Sequence, residues 1–207
     1  MRAVIWRAPA SRWRRNPPVG FIHLCEPTLA DLPPAGPGWL HEVKHDGFRI
    51  LARKQGERVQ VWSRRGADFT YRFPAIAEAV RGLNVDRALI DGEAVVLRND
   101  GRSDFVALLT KRGGAQAMLV AFDLLRQEGE DLRLRPLEAR REALKQLVAG
   151  VDRLLFSEAL AADGAVMFAK ACELGLEGIV SKRAGSFYRN GRSRNWLKIK
   201  NPNFVRT

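Results

Sequence analysis

The sequence predicts an α+β domain in which antiparallel β-sheets pack together, flanked by helices, with a cleft between the sheets. Three observations point there. Apolar stretches of strand length recur from Trp39 to Lys200. Turn-forming runs such as Lys54-Gln55-Gly56-Glu57 and Asn99-Asp100-Gly101-Arg102 separate neighbouring stretches. Helical patterns are too few to alternate with every strand, which excludes a doubly wound parallel sheet.

Residues 1–20 are rich in arginine, contain Trp6 and Trp13 and have no acid. They read as a basic N-terminal arm that touches phosphate, with the tryptophans packing on the domain or on bases. A plain leader fits the same composition, and a transit peptide stays open. Residues 21–207 read as the folded domain. A proline- and glycine-rich lead-in delivers Trp39 to the first strand. Residues 42–49 then read as strand, tight turn, strand, with Asp46-Gly47 at the turn because glycine tolerates positive φ. Lys44 thereby sits at a strand end.

Residues 48–54 and 58–63 pair as a hairpin, and Ser63-Arg64-Arg65-Gly66 forms its basic exit. Tyr71 to Leu83 reads as a helix with Pro74 in its first turn. Residues 88–97 read as a buried strand interrupted by Asp91-Gly92-Glu93, where glycine permits a bulge or a close backbone approach. Phe105 to Leu109 is a short helix or strand, and residues 111–114 a mobile basic loop. Met118 to Leu125 is an apolar strand broken by Asp123. Pro136 opens a helix to Val148, with Leu137, Leu144, Leu147 and Val148 inward and its arginines outward. Residues 153–158 form a strand, and Ala165 to Leu174 a helix closed by Gly175. Residues 177–183 form a strand headed by Glu177, and residues 184–195 a polar loop. Trp196 to Lys200 alternates strictly, so Lys198 and Lys200 share one face of a strand.

The chain has 207 residues, 46% of them hydrophobic, and a formal net charge of +12. That length makes one large domain or two small ones, and that charge calls for a polyanionic partner, nucleic acid before an anionic membrane. No apolar run approaches the length of a membrane span. Cys25 and Cys172 lack CxxC spacing, which fits a reducing compartment and no structural zinc.

The polar residues on these strands form a pattern. Lys44 lies at a strand end, Glu93 and Asp123 interrupt apolar strands, Glu177 heads one, and Lys198 and Lys200 share a face. Acids in such strands are costly to bury unless paired or on a metal. Brought together, these groups would supply a nucleophile, metal-binding carboxylates and a cationic clamp, which suits nucleotidyl transfer.

With that pattern in view, the chain resembles the adenylation (nucleotidyltransferase) domain of ATP-dependent DNA ligases, and within it the ligase module of the bacterial end-joining enzyme, ligase D. Lys44-His45-Asp46-Gly47-Phe48-Arg49 matches the KxDGxR element, Asp91-Gly92-Glu93 the third motif and Phe122-Asp123 the aromatic motif. Glu177-Gly178 matches the fourth motif and residues 196–200 the fifth, all in the family's order. Ser63-Arg64-Arg65-Gly66 matches the DNA-contacting element. The resemblance implies that Lys44 forms a covalent lysyl–AMP and that Glu42 helps to recognise adenine, on which Phe122 stacks. Arg49 and Glu93 would contact the ribose, Glu93 and Glu177 a divalent Mg²⁺ or Mn²⁺, Lys198 and Lys200 the α-phosphate. Arg64 and Arg65 would contact DNA, Arg64 at a 5′-phosphate. Asp46, Asp91 and Lys182 stay between supporting and structural roles, and His41 and His45 read as packing residues.

The implied cofactor is ATP and the implied partner nicked or broken duplex DNA, with end-joining proteins or an OB-fold domain as further partners. The expected setting is DNA repair in the bacterial cytoplasm, at the nucleoid, as a monomer. In the family an OB fold with a pyrophosphate-orienting motif follows the fifth motif. Nothing after Lys200 matches it, so the resemblance predicts slow self-adenylation and better-preserved sealing of a pre-adenylated nick. The competing assignments are an RNA ligase or capping-type nucleotidyltransferase, and a non-catalytic DNA-binding module.

Overall fold

The computed structural model describes residues 18–206. The greater part of the basic arm, with Trp6 and Trp13, therefore lies outside the described residues. Among the described residues the strands form two sheets. The first contains β1 (Cys25–Leu29), β2 (Trp39–Val43), β9 (Ala159–Leu160), β10 (Gly178–Arg183) and β11 (Gly191–Lys200), in the order β1-β11-β10-β2-β9. The second contains β3 (Phe48–Gln55), β4 (Arg58–Ser63), β5 (Arg87–Val95), β6 (Met118–Gln127) and β7 (Glu130–Asp131), in the order β4-β3-β5-β6-β7, with β8 (Leu154–Phe156) beside β6. Pairing is antiparallel apart from β1 with β11 and β6 with β8. The expected α+β class with antiparallel sheets is what the chain forms.

The period of two decides which layer each side chain enters. On β3, Ile50 and Ala52 enter the outer core while Leu51 points between the sheets. That outer core is closed by α1 (Pro74–Arg81), where Ile76, Ala77 and Val80 are buried, and by α4 (Leu137–Val148) against β6. Leu51, Trp62, Leu89, Leu125 and Trp196 fill the space between the sheets. Below the first sheet, Ile179 and Ile199 pack on α5 (Gly164–Glu173), which Asp163 caps at its N-terminus.

Several local expectations are corrected. Residues 111–114 are no mobile loop: Lys111–Gln116 is a helix (α3) following α2 (Phe105–Leu109), with Thr110 capping its start and Gly113 and Gly114 buried. The polar loop ends earlier than expected, because β11 begins at Gly191. Two arginines of α4 do not face outward: Arg140 and Arg141 are buried. The Asp46-Gly47 step is no hairpin turn either. β2 and β3 lie in different sheets, so residues 44–47 carry the chain from one sheet to the other. Glycine is needed at 47 for closeness, not for a positive φ. A Cβ there would stand 2.3 Å from the Ala94 carbonyl oxygen on β5.

That contact is with backbone, which cannot rotate away. Gly47→Ala is expected to cost about 1–3 kcal/mol of stability, as overpacking does. Urea unfolding of the two proteins measures it, and equal stabilities would mean that β5 yields at no cost.

Candidate active site

Strand register assembles the cleft. In the first sheet, Glu42 on β2 lies opposite Val180 on β10, which lies opposite Lys198 on β11. One step along, Lys182 pairs with Trp196. In the second sheet, Arg49 on β3 pairs with Glu93 on β5, and Glu93 with Val120 on β6. Gly92 lets the β6 backbone come close: a Cβ would meet the Val120 carbonyl at 2.7 Å. The register shifts at this point, so Phe122 is the extra residue of a bulge, and it turns into the cleft. Of the two readings for Asp91-Gly92-Glu93, a bulge or a close backbone approach, Gly92 itself shows the close approach, and the extra residue lies on the partner strand β6.

The cleft is lined by Glu42, Lys44, Arg49, Arg64, Glu93, Phe122, Lys182 and Lys198, together with Trp196 and Ser157. Residues from the whole length of the folded region therefore meet. Arg65 and Lys200 are exposed and outside this lining. Arg64 forms an exposed ion pair with Glu26, 2.8 Å from Nη2.

Lys44 is held where β2 ends. Its backbone N–H donates to the Gly178 carbonyl at 3.0 Å. Its Nζ lies 2.5 Å from Glu177 Oε2, an ion pair without the alignment of a hydrogen bond. Lys44's ionic partner is thus the Glu177 carboxylate. Burial pushes the Lys198 ammonium below its ordinary pKa, and Lys200, Lys44 and Arg64 push the same way.

The remaining acids separate by partner. Asp91 accepts from Arg49 Nε and Nη2 at 3.0 and 2.7 Å and from the Tyr188 hydroxyl at 2.7 Å. Asp123 is fully buried and accepts from Arg140 at 2.7 and 2.9 Å, so it is no metal ligand and does not line the cleft. Asp46 accepts from Arg206 at 2.8 and 2.6 Å. Asp91, Asp123 and Asp46 are structural partners of arginines. His41 is buried with Ser181 Oγ 2.8 Å from Nδ1, a packing role. His45 does line the cleft, and burial keeps its pKa low.

Glu93 differs. Among the described residues its carboxyl has no hydrogen bond or ion pair. Burial pushes its pKa up to about 8, with Lys44 and Arg49 opposing and Glu177 reinforcing. Among the described residues no group of three His, Cys, Asp or Glu is close enough to hold a metal alone. An unpartnered Glu93 near Glu177 does fit a hard cation that takes one or two carboxylates and completes its shell with phosphate oxygens and water.

The expectations missed Arg141 and Ser157, which contact Glu42. A signal was available. Leu137, Arg140, Arg141, Leu144 and Val148 form one helical stripe, so the two arginines occupy core positions.

Two sheets enclosing a cleft lined by Lys44, Lys198, Glu42 and Glu93 define a nucleotidyltransferase fold. The model of the ATP dependent DNA ligase domain family matches residues 32–200. The chain belongs to that family. It is 42% identical over 200 residues to the multifunctional non-homologous end joining protein LigD of Pseudomonas aeruginosa, covering 93% of this chain and 24% of that one. It is 34% identical over 166 residues to the LigD of Mycobacterium tuberculosis, covering 80% and 22%. The solved ligase domain of M. tuberculosis LigD superposes with a TM-score of 0.70 at 33% identity, over 86% of this chain and 60% of that one. A mycobacterial DNA ligase D complexed with ATP and MES gives 0.69 over the same shares. The chain thus spans about a quarter of the LigD proteins. Neither RNA ligases nor capping enzymes are favoured by these matches. Among the described residues no helix is long and apolar enough to cross a membrane.

The raised Glu93 pKa has a consequence for stability. Between the ordinary value of 4.5 and about 8, the unfolded chain carries this carboxyl ionised while the folded chain keeps its proton. The folded state binds more protons there, so Glu93 makes stability fall as pH rises through that window. Unfolding free energy should therefore drop more between about pH 5 and pH 8 in the wild type than in Glu93→Gln. Equal pH dependence would show that Glu93 is ionised in the folded protein.

Proposed function

We propose that this chain carries the adenylyl-transfer and sealing chemistry of an ATP-dependent DNA ligase that acts on nicked or broken duplex DNA in a bacterial repair pathway. What supports the proposal is the convergence of Lys44, Glu93, Arg49 and Lys198 on one cleft, with Glu177 outside its lining but ion-paired to Lys44, in a chain of this family.

Lys44 Nζ attacks the α-phosphorus of ATP. A P–N bond forms, the bond to pyrophosphate breaks, and its electron pair leaves on the pyrophosphate oxygen. Lys44 must first give up a proton, and the Glu177 carboxylate at 2.5 Å stands ready to accept it. Lys198, with Lys200 beside it, neutralises the charge that develops on the α-phosphate oxygens. Phe122 offers a ring face to the adenine and Glu42 an acceptor to its edge. Arg49, fixed by Asp91, and Glu93 address the ribose. Glu93 and Glu177 would hold Mg²⁺ or Mn²⁺, which when bound supplies further charge neutralisation on phosphate. In the second step an oxygen of the DNA 5′-phosphate attacks the adenylyl phosphorus and releases Lys44. In the third the 3′-hydroxyl attacks the activated 5′-phosphate and AMP leaves. Arg64 and Arg65 lie at the basic surface that would meet the DNA backbone, and Arg64 would exchange Glu26 for phosphate.

The test is incubation with α-labelled ATP and Mg²⁺ or Mn²⁺, and separately with a pre-adenylated nick. A covalent adduct on Lys44 is expected, absent in Lys44→Ala. Glu177→Ala and Glu93→Ala should lose about a hundredfold or more in rate while keeping DNA affinity. A label mapped to another lysine, or full activity of either acid variant, would remove that residue from its role.

Binding to a 5′-phosphorylated nick should weaken steeply with salt, and Arg64→Ala should reduce the salt slope by about one. Affinity that is insensitive to salt would exclude an electrostatic DNA face.

A further inference from the structure

The carboxylate that the cleft offers to a base is enclosed by groups from three other elements. Glu42 Oε1 accepts from Arg141 Nη1 at 2.6 Å and lies 2.7 Å from Lys182 Nζ. Its Oε2 accepts from Ser157 Oγ at 2.9 Å. The second Arg141 nitrogen, Nη2, donates to the Ser157 carbonyl at 2.6 Å. One guanidinium thus fixes both the carboxylate and the serine that touches it. Arg141 is itself held over the Phe156 ring, 4.7 Å from its centroid.

Hydrogen-bond capacity now decides what this corner can recognise. A carboxylate has about four acceptor positions. Arg141 and Lys182 occupy both on Oε1, and Ser157 one on Oε2, which leaves one on Oε2. The single hydroxyl hydrogen of Ser157 goes to Glu42, so Oγ presents only lone pairs. Lys182 is buried between Phe122 and Trp196, 4.5 and 4.3 Å from their centroids, and its remaining reach is to the Phe122 carbonyl at 3.3 Å. Glu42 and Ser157 both line the cleft. They therefore meet a ligand as two adjacent acceptors.

We propose that Ser157 is a specificity-determining residue and Arg141 a positioning residue, which together select a purine with an amino group at C6 over one with a carbonyl there. This rests on the proposal that the cleft takes ATP. An exocyclic amine has N–H donors for Glu42 Oε2 and Ser157 Oγ. A 6-oxo purine can give its N1–H to one of them, but its O6 then faces the other lone pair. A site committed to one hydrogen-bond sense rejects the reversed partner because buried polar groups are left unpaired.

The experiment is calorimetric titration of the wild type, Ser157→Ala, Arg141→Met and Arg141→Lys with ATP and with inosine triphosphate, which carries a carbonyl at C6. Thermal unfolding checks that each variant folds. The wild type should bind ATP at least about tenfold more tightly than inosine triphosphate. Ser157→Ala and Arg141→Met should lower that ratio at least about threefold, mainly by weakening ATP, and Arg141→Lys should restore part of it. The ratio compares two ligands on one protein, so a general loosening of structure would leave it unchanged. If Arg141→Met fails to fold, Ser157→Ala decides alone. An unchanged ratio in the folded variants overturns the assignment, as does a wild type that binds both nucleotides equally. A wild type that binds neither overturns the nucleotide reading of the cleft, and this inference with it.

Discussion

Residues 44–47 carry the chain from one sheet to the other, and the cleft exists because of that crossing. β2 ends in the first sheet, β3 begins in the second, and Lys44 is the first residue of the passage. The passage is tight enough that Gly47 lies against the β5 backbone with no room for a Cβ. It is pinned on both sides: the Lys44 N–H donates to Gly178, and Asp46 accepts from Arg206. A side chain on such a segment is held by main-chain geometry before any ligand arrives, which is the preorganisation that the proposed role of Lys44 needs.

Around that segment, burial of charge divides the acids into two kinds. Asp91 and Asp123 sit on core strands with matched arginines, and each pair arises from stretches far apart in sequence. Such pairs add little net stability but leave an expensive orphan when one partner is lost, about 3–5 kcal/mol. They therefore hold strands and helix in one arrangement: Arg140 ties α4 to β6 and to the carbonyls of Arg135 and Ser186. Glu93 and Glu177 are the exceptions. Among the described residues the first has no hydrogen bond or ion pair, and the second has an ion pair with Lys44 but no hydrogen bond on Oε2. Polar groups kept in or beside the strands without full satisfaction are where a ligand can gain binding energy, since it supplies what the fold withholds.

Most of the site was legible in the sequence. Lys44, Glu93, Glu177 and Lys198 stand out because polar side chains interrupt or bound apolar strands, whereas Phe122 was marked by the family resemblance. Gly92 within an apolar strand likewise marked the close approach of β6, although the bulged residue itself, Phe122, lies on that partner strand. Such reading failed where one residue type serves two ends. Arginines on α4 read as solvated because arginine usually is, yet Arg140 and Arg141 fall on the apolar stripe and meet Asp123 and Glu42. Ser157 lies in a short segment with no periodicity to mark it. Asp46-Gly47 has the composition of a hairpin turn, and nothing local distinguishes a turn within one sheet from a step between two.

The sequence by itself determined most of the strands and longer helices, the shared face of Lys198 and Lys200, and the family to which the chain belongs. Those follow from short-range periodicity and from motifs whose order along the chain can be read directly. Tertiary structure alone decided which acid meets which cation: Glu177 at Lys44, Arg49 at Asp91, Arg140 at Asp123, and Arg141 with Lys182 and Ser157 at Glu42. The chain holds more arginines and lysines than acids, so charge and composition allow many pairings. Sheet order and register, which depend on contacts between distant segments, choose among them, because a buried charge is tolerated only where its partner arrives at hydrogen-bonding distance.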